Sequence, residues 1–313
     1  MKIGSLCTGY GGLDMAVEAY FKAETVWCAE YDKHASKLIE KRLGYLNYGN
    51  ISQIDWSVVE PIDILTAGYP CQPFSVAGNR QGSNDARHLW PYIKEAISVL
   101  RPRWVILENV RGHLSLGFKE VLQDLAEVGY DAKWKIVRAS DVGAPHQRAR
   151  LFIIAYPNSI NRGVSPSSEP FTDSINNGCT FGNSCRFEKT ISRVESNGLI
   201  TNSNCDACEE SRRTDSLLPG KSSKKPNQAN RNEYRFSLEM DRQEVPVTLD
   251  QGKLNPQFVE YMMGLPKGWV TDMDLSRTQQ LKMLGNGVVP QQAYYALEQL
   301  MKYDTPSEQD LSL

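Results

Sequence analysis

The run Gly68-Tyr69-Pro70-Cys71-Gln72-Pro73-Phe74-Ser75 sets one cysteine on a turn shaped by glycine and proline, just after the apolar residues 62–67. A strand that feeds a tight turn displaying a thiol is a good way to present a nucleophile, because the thiolate is intrinsically reactive. A lone cysteine is also a common inert core residue, so the turn alone leaves both readings open. A second group is Glu108-Asn109-Val110, directly after the apolar residues 104–107. A carboxyl at a strand end that loses water holds its proton longer and can donate it. The plain alternative is a capping or surface carboxylate. A third is Gln147-Arg148-Ala149-Arg150, entering residues 151–155. Arginines at i and i+2 point to one side of a strand. There they can fork onto a phosphate or onto a substrate beside Cys71, or remain solvated charges.

Two glycine-rich segments suggest a ligand site. Cys7-Thr8-Gly9-Tyr10-Gly11-Gly12 lies between a strand and a helix, where glycines permit close backbone approach and a helix N-terminus offers free amides. Its G-x-G-G spacing is a poor dinucleotide fingerprint. Glu30, at the end of the next strand, suits the two hydroxyls of a ribose. Gly285-Asn286-Gly287-Val288-Val289-Pro290 reads as a tight turn into a last helix. From Phe74 to Arg87 the polar stretch with Gly78, Gly82, Ser83 and Asn84 has the composition of a lid beside Cys71.

The elements that must position these groups follow from hydrophobic rhythm. Strands are expected at 2–6, 25–29, 62–67, 104–107 and 151–155, and helices at 11–21, 32–43, 89–100, 118–128 and 290–301. This βαβα alternation predicts an α/β fold, a doubly wound and mostly parallel sheet whose ligands sit at the carboxyl ends of the strands. Residues 158–232 are dense in Ser, Asn, Gly, Thr and Pro and read as loops and short strands. Helical character returns near Asn255-Pro256, a cap followed by proline in the first turn. The 313 residues allow one large domain and a smaller one, and no apolar run is long enough for a membrane span. The start enters a strand without a signal-peptide pattern, so a reduced, cytoplasmic setting is expected for the seven cysteines. A net charge of −2 announces no nucleic-acid partner, so any basic face must be local.

Taken in order, the glycine loop, the Pro-Cys-Gln turn, Glu-Asn-Val, the paired arginines and the late Gly-Asn turn resemble the DNA (cytosine-5)-methyltransferases of bacterial or phage type. The resemblance covers residues 1–156 and about 254–301. It implies a Rossmann-like domain for S-adenosylmethionine over 1–156, completed by 283–313. It also implies a small target-recognition domain over 157–282 with an insert at about 158–250, and double-stranded DNA in the cleft between them. It implies that Cys71 adds to carbon 6 of a flipped cytosine, that Glu108 holds ring nitrogen 3, that Arg150 contacts the base, and that Arg148 supports the cysteine loop. Cofactor contacts are implied for Cys7, Thr8, Gly9, Tyr10, Gly11, Gly12, Glu30, Tyr31, Asn50, Ile51, Gly68, Pro70, Leu89, Asn286 and Val288. Contacts to the substrate or within the loop are implied for Gln72, Ser75, Arg87, Asn109 and Val110. The chemistry needs no metal.

The chain departs from the family at three of these places. Cys7 stands where phenylalanine is usual, His146 where glutamine is frequent, and Asn50 where an aspartate usually meets the adenine amine; the amide oxygen of Asn50 is expected to accept in its stead. In the insert, Cys179, Cys185, Cys205 and Cys208 are either a structural zinc set or free thiols. Residues 212–235 carry Arg212, Arg213, Lys221, Lys224, Lys225, Arg231 and Arg235, suited to phosphate contact or to a solvated linker. Competing readings are an RNA cytosine-5 methyltransferase, a catalytically silent nucleic-acid scaffold and a nicotinamide oxidoreductase. A monomer is expected, with a cognate restriction endonuclease as a candidate partner.

Overall fold

The computed structural model describes residues 1–70, 89–158, 197–200, 245–249 and 252–302. Eight strands form one sheet in the order β3-β2-β1-β4-β5-β7-β6-β8. They are β1 Lys2–Leu6, β2 Glu24–Ala29, β3 Leu46–Asn47, β4 Ile64–Gly68, β5 Trp104–Val110, β6 Tyr130–Val137, β7 Arg150–Pro157 and β8 Asn197–Ile200. β1 to β5 pair in parallel, while β7 runs antiparallel to both β5 and β6 and β8 antiparallel to β6. Six of the eight strands therefore share one direction. β1 has β2 on one side and β4 on the other, so the strand order reverses beside it and opens a crevice at the carboxyl ends.

The period of two in the strands sorts side chains into two helix layers. Val105 and Leu107 of β5, with Leu151 and Ile153 of β7, face the core shared with α3, Trp90–Leu100, and α4, Phe118–Glu127. Ile106, Phe152 and Ile154 face the opposite core, closed by α1, Gly12–Phe21, and α7, Pro290–Met301. A third core joins α2, Lys33–Leu38, to α5, Pro256–Met262, and α6, Arg277–Asn286. Asn255 caps α5 by accepting from the Gln257 amide, with Pro256 in the first turn, as expected. Residues 256–286 thus share a core with α2, so by packing they belong with the sheet rather than with the insert before them.

The structure differs from the sequence expectations in four places. The helix expected over 32–43 is α2 capped by Asp32 and followed by a π-helical turn, Ile39–Leu43, that presents Arg42 to the Gly268 carbonyl at 2.6 Å. β6 was not anticipated, because Asp131, Lys133 and Lys135 make it look solvated, yet Asp131 and Lys133 are buried between neighbouring strands. α6 was also unforeseen, its sequence being largely polar. Consequently Gly285 and Asn286 end a helix rather than form a tight turn, and Gly287 caps it in extended backbone.

Candidate active site

Gly9 and Gly11 take left-handed backbone in the loop between β1 and α1, and so does Cys7, which carries a side chain there. That curl drops the Gly9 amide onto Glu30 Oε2 at 2.8 Å, while Glu30 Oε1 accepts from the Asp32 amide at 2.7 Å. Glu30 ends β2 beside the loop, and burial raises its pKa. Cys7, Gly9, Glu30 and Asp32 form one wall of a cavity of about 1000 Å³ at the carboxyl ends of the strands.

Cys7, Thr8, Gly9, Gly12, Glu30, Tyr31, Asn50, Ile51, Gly68, Pro70 and Leu89 line this cavity. So do Glu108, Asn109, Val110, Arg150, Asn286 and Val288. Tyr10, Gly11 and Arg148 do not. Tyr10 is fully buried with its hydroxyl donating to the Val288 carbonyl at 2.8 Å. Its ring lies under Gly287, where a Cβ would come within 1.8 Å of it. Gly11 is the N-cap of α1, and a Cβ there would meet Leu43. Cys71, Gln72, Ser75 and Arg87 lie outside the described residues, as do the four cysteines of the insert and the basic residues 212–235.

Across the cavity, strand register does the positioning. Gly68 stands opposite Glu108, and Val110 opposite Arg150. Because β7 is antiparallel, its first residue, Arg150, reaches the edge where the parallel strands end. Arg150 Nε lies 2.9 Å from Glu108 Oε1. Glu108 is 6% exposed, and burial pushes it up to about 7 against the pull of Arg150 and Arg148. The carboxyl can thus hold a proton near neutrality and still be oriented by a guanidinium.

The two arginines do not share one side of a strand. Arg148 precedes β7 with φ at 32° and turns away to donate to the carbonyls of Gly285 and Gly287, at 2.8 and 2.7 Å. A cation over the last turn of α6 satisfies its open carbonyls, so among the described residues Arg148 braces the segment bearing Asn286. The amide oxygen of Asn50 is also committed elsewhere. It accepts from the Ser52 amide and hydroxyl as the cap of a short 3-10 turn, and the expected free acceptor is engaged.

Several cavity residues gave no signal in the sequence. Asp14 is buried in the first turn of α1, taking hydroxyls from Ser5 at 2.8 Å and Thr66 at 2.5 Å, and burial pushes it up to about 7. Gln279 and Lys282 line the mouth from α6. Cys7 and Cys28 are pushed up to about 12, chiefly by burial, so both stay thiols and neither is a nucleophile at neutral pH. Among the described residues no group of His, Cys, Asp and Glu could hold a metal ion.

The open faces of the cavity fit an adenosyl ligand. A Cβ on Gly9 would meet nothing within 4 Å, and one on Gly68 nothing closer than 3.8 Å. Apolar Ile51 and Leu89 and the 79% exposed Tyr31 offer surface for a purine, and the Glu30 carboxylate keeps acceptor capacity for a hydroxyl.

Comparison with known proteins gives a consistent result. Residues 1–302 match the family described as C-5 cytosine-specific DNA methylase. The chain is 35% identical over 160 residues to the type II methyltransferase M.NgoBI of Neisseria gonorrhoeae, covering 50% of each. It is 34% identical over 171 residues to M.HhaI of Haemophilus parahaemolyticus, covering 53% of this chain and 52% of that one. The matched regions therefore span about half the length of these curated relatives. Among solved structures, a DNMT2 from Spodoptera frugiperda aligns over 96% of this chain and 99% of its own with a TM-score of 0.59 at 17% identity. A prophage-encoded putative DNA modification methyltransferase of E. coli aligns over 96% and 99% with a TM-score of 0.55 at 20% identity. At such identities these two speak for the fold.

Proposed function

The chain belongs to the C-5 cytosine-specific DNA methylase family, and from that premise we propose that it methylates carbon 5 of a flipped cytosine in double-stranded DNA through a covalent bond to Cys71. The observation that carries this reading is the buried Glu108–Arg150 pair facing Gly68 in register, three residues before Cys71. S-adenosylmethionine would be held by Glu30, Cys7, Thr8, Gly9, Gly12, Ile51, Leu89 and Asn286 and would supply the electrophilic methyl.

The protein's own residues do the rest. A cytosine inside a duplex is out of reach, so the base must leave the stack. The Cys71 thiolate forms a bond to carbon 6, which makes carbon 5 electron-rich. Protonated Glu108 donates to ring nitrogen 3 and stabilises the enamine, and Arg150 fixes the carboxyl's orientation and meets the base. Once carbon 5 bears the methyl, loss of its proton to a water molecule and release of the Cys71 thiolate from carbon 6 restore the ring. Asn109 donates to the Tyr69 carbonyl at 3.2 Å and so holds the end of β4. We assign target reading to residues 158–250, and place the protein in the cytoplasm as a monomer. No helix among the described residues is long and apolar enough to cross a membrane.

A duplex carrying 5-fluorocytosine in many sequence contexts, incubated with S-adenosylmethionine, tests this. Fluorine cannot leave as a proton does, so the enzyme is expected to stall as a covalent adduct that Cys71→Ser abolishes. No adduct in any context, with cofactor binding intact, would overturn the DNA reading; adduct on RNA alone would move the substrate class.

A further inference from the structure

Tyr69 stands between the last residue of β4 and Pro70-Cys71, and it is pinned at three points. Its carbonyl accepts from Asn109. Its ring packs on Trp90, the first residue of α3, with centroids 5.6 Å apart. Its hydroxyl shares a 3.0 Å hydrogen bond with His113 Nε2. Trp90 is itself anchored through Nε1 to Asp124 Oδ2 at 2.6 Å, which ties α3 to α4. The two described flanks of residues 71–88 are therefore locked to each other and to the end of β5.

His113 is an unusual choice for this place. It lies in the 3-10 turn Arg111–Ser115 that follows β5, 3% exposed, edge-on to Tyr69 and Phe118. Burial lowers its pKa, so the ring is neutral. Among the described residues its Nδ1 is buried with no hydrogen-bond partner. Leaving a buried polar atom unpaired is costly, and an apolar side chain would fill the space without that cost. What the histidine alone provides is the bond to the Tyr69 hydroxyl.

We propose that His113 is a positioning residue for the nucleophile, acting through Tyr69 to fix the chain that carries Cys71 against Glu108. This rests on the reading of Cys71 given above. The contact is directional, unlike the packing around it, and misplacing a reacting atom by about 1 Å costs up to ~100-fold in rate.

The test measures single-turnover adduct formation on a 5-fluorocytosine duplex, beside the Kd for S-adenosylhomocysteine. The variants are Tyr69→Phe, His113→Leu, His113→Gln and the double Tyr69→Phe/His113→Leu. Tyr69→Phe keeps the ring and removes one oxygen, so it stays informative if His113→Leu folds poorly. Each of the two removals is expected to slow adduct formation about 10-fold with the Kd within two-fold of wild type. The double variant is expected to be no slower than the slower single, since both remove one bond. His113→Gln, which restores a hydrogen-bonding partner for the Tyr69 hydroxyl, is expected to recover most of the rate. Unchanged rates in both single variants would overturn the proposal while the wild-type adduct, lost in Cys71→Ser, left the function standing. Losses that multiply in the double variant, or a parallel loss of cofactor binding, would also overturn it. A wild type that forms no adduct would overturn both.

Discussion

Glu108 has left water more completely than Arg150 compensates, and that imbalance is its chemistry. Its pKa of about 7 means the free enzyme carries a mixture of acid and carboxylate near neutrality. If the acid form serves ring nitrogen 3, kcat/KM corrected for the fraction of Cys71 thiolate should hold on the acid side and fall tenfold per unit as pH rises past about 7. Glu108→Gln should lower activity by two or more orders of magnitude, on the order of a lost oxyanion-type donor, and flatten that limb. A wild-type profile that still rises through pH 7 after that correction would show that the carboxylate is the working form. Asp14 shows the same physics as a stability effect. Burial raises it from 3.8 to about 7, so between these values the folded state holds a proton that the unfolded state has lost. Stability from this group is complete below about pH 4, declines by about 1.4 kcal/mol per unit, and is gone above about 7. Asp14→Asn, neutral throughout, lacks this decline. Urea unfolding of both proteins at pH 5, 6 and 7 should show the difference between them changing steadily; parallel curves would mean that Asp14 ionises freely. Glu108 was legible as a strand-end carboxyl. Asp14 was not, because an acid in the first turn of a helix ordinarily complements the helix dipole from the surface.

At the scale of elements, legibility followed the hydrophobic period. β4, β5 and β7 carry apolar runs buried on both faces, and β1 is buried on both faces after its exposed Lys2, so the sequence marks them. β6 hides behind charged residues whose burial comes from tertiary cover: the Lys133 ammonium lies 5.5 Å from the Tyr156 ring. α6 hides behind a polar sequence and a Gly-Asn-Gly that mimics a turn; only Met283 and Leu284 are buried along it. What the turn motif marks is a close approach. Gly287 presses on Tyr10, whose own backbone carbonyl accepts from Trp269 Nε1 at 3.0 Å. Gly287→Ala must push out either a fully buried tyrosine or the segment carrying Asn286 and Val288. It is expected to cost about 1–3 kcal/mol, the range for overpacking, and to weaken S-adenosylhomocysteine binding at least 10-fold. Gly285→Ala is the control. Its Cβ would meet nothing within 4 Å, and replacing a helical glycine should leave stability unchanged or raise it by up to about 1 kcal/mol. Equal melting shifts for the two variants would refute the close-packing account.

For the molecule as a whole, the cavity draws no described lining residue from the insert. Every described lining residue comes from 5–14, 29–35, 49–52, 66–70, 89–110, 150 or 279–288. Within the described parts of the insert, β8 extends the sheet beyond β6 at the edge remote from β1, and residues 245–249 bond to 253–255 ahead of α5. Cofactor binding should therefore depend on the sheet and its C-terminal completion, and target reading on the insert. Replacing 201–244 by a long Gly/Ser linker removes Arg212, Arg213, Lys221, Lys224, Lys225, Arg231 and Arg235 and leaves the cavity walls in place. Calorimetric titration is expected to return a Kd for S-adenosylhomocysteine within about three-fold of the intact chain, a change worth under ~1 kcal/mol. DNA binding is expected to lose its preference for any one sequence context. The slope of log K against log salt should also become shallower by about 0.9 for each phosphate contact removed. A deletion that abolished cofactor binding would show that the insert helps form the cavity, and an unchanged salt slope would assign those basic residues to solvent.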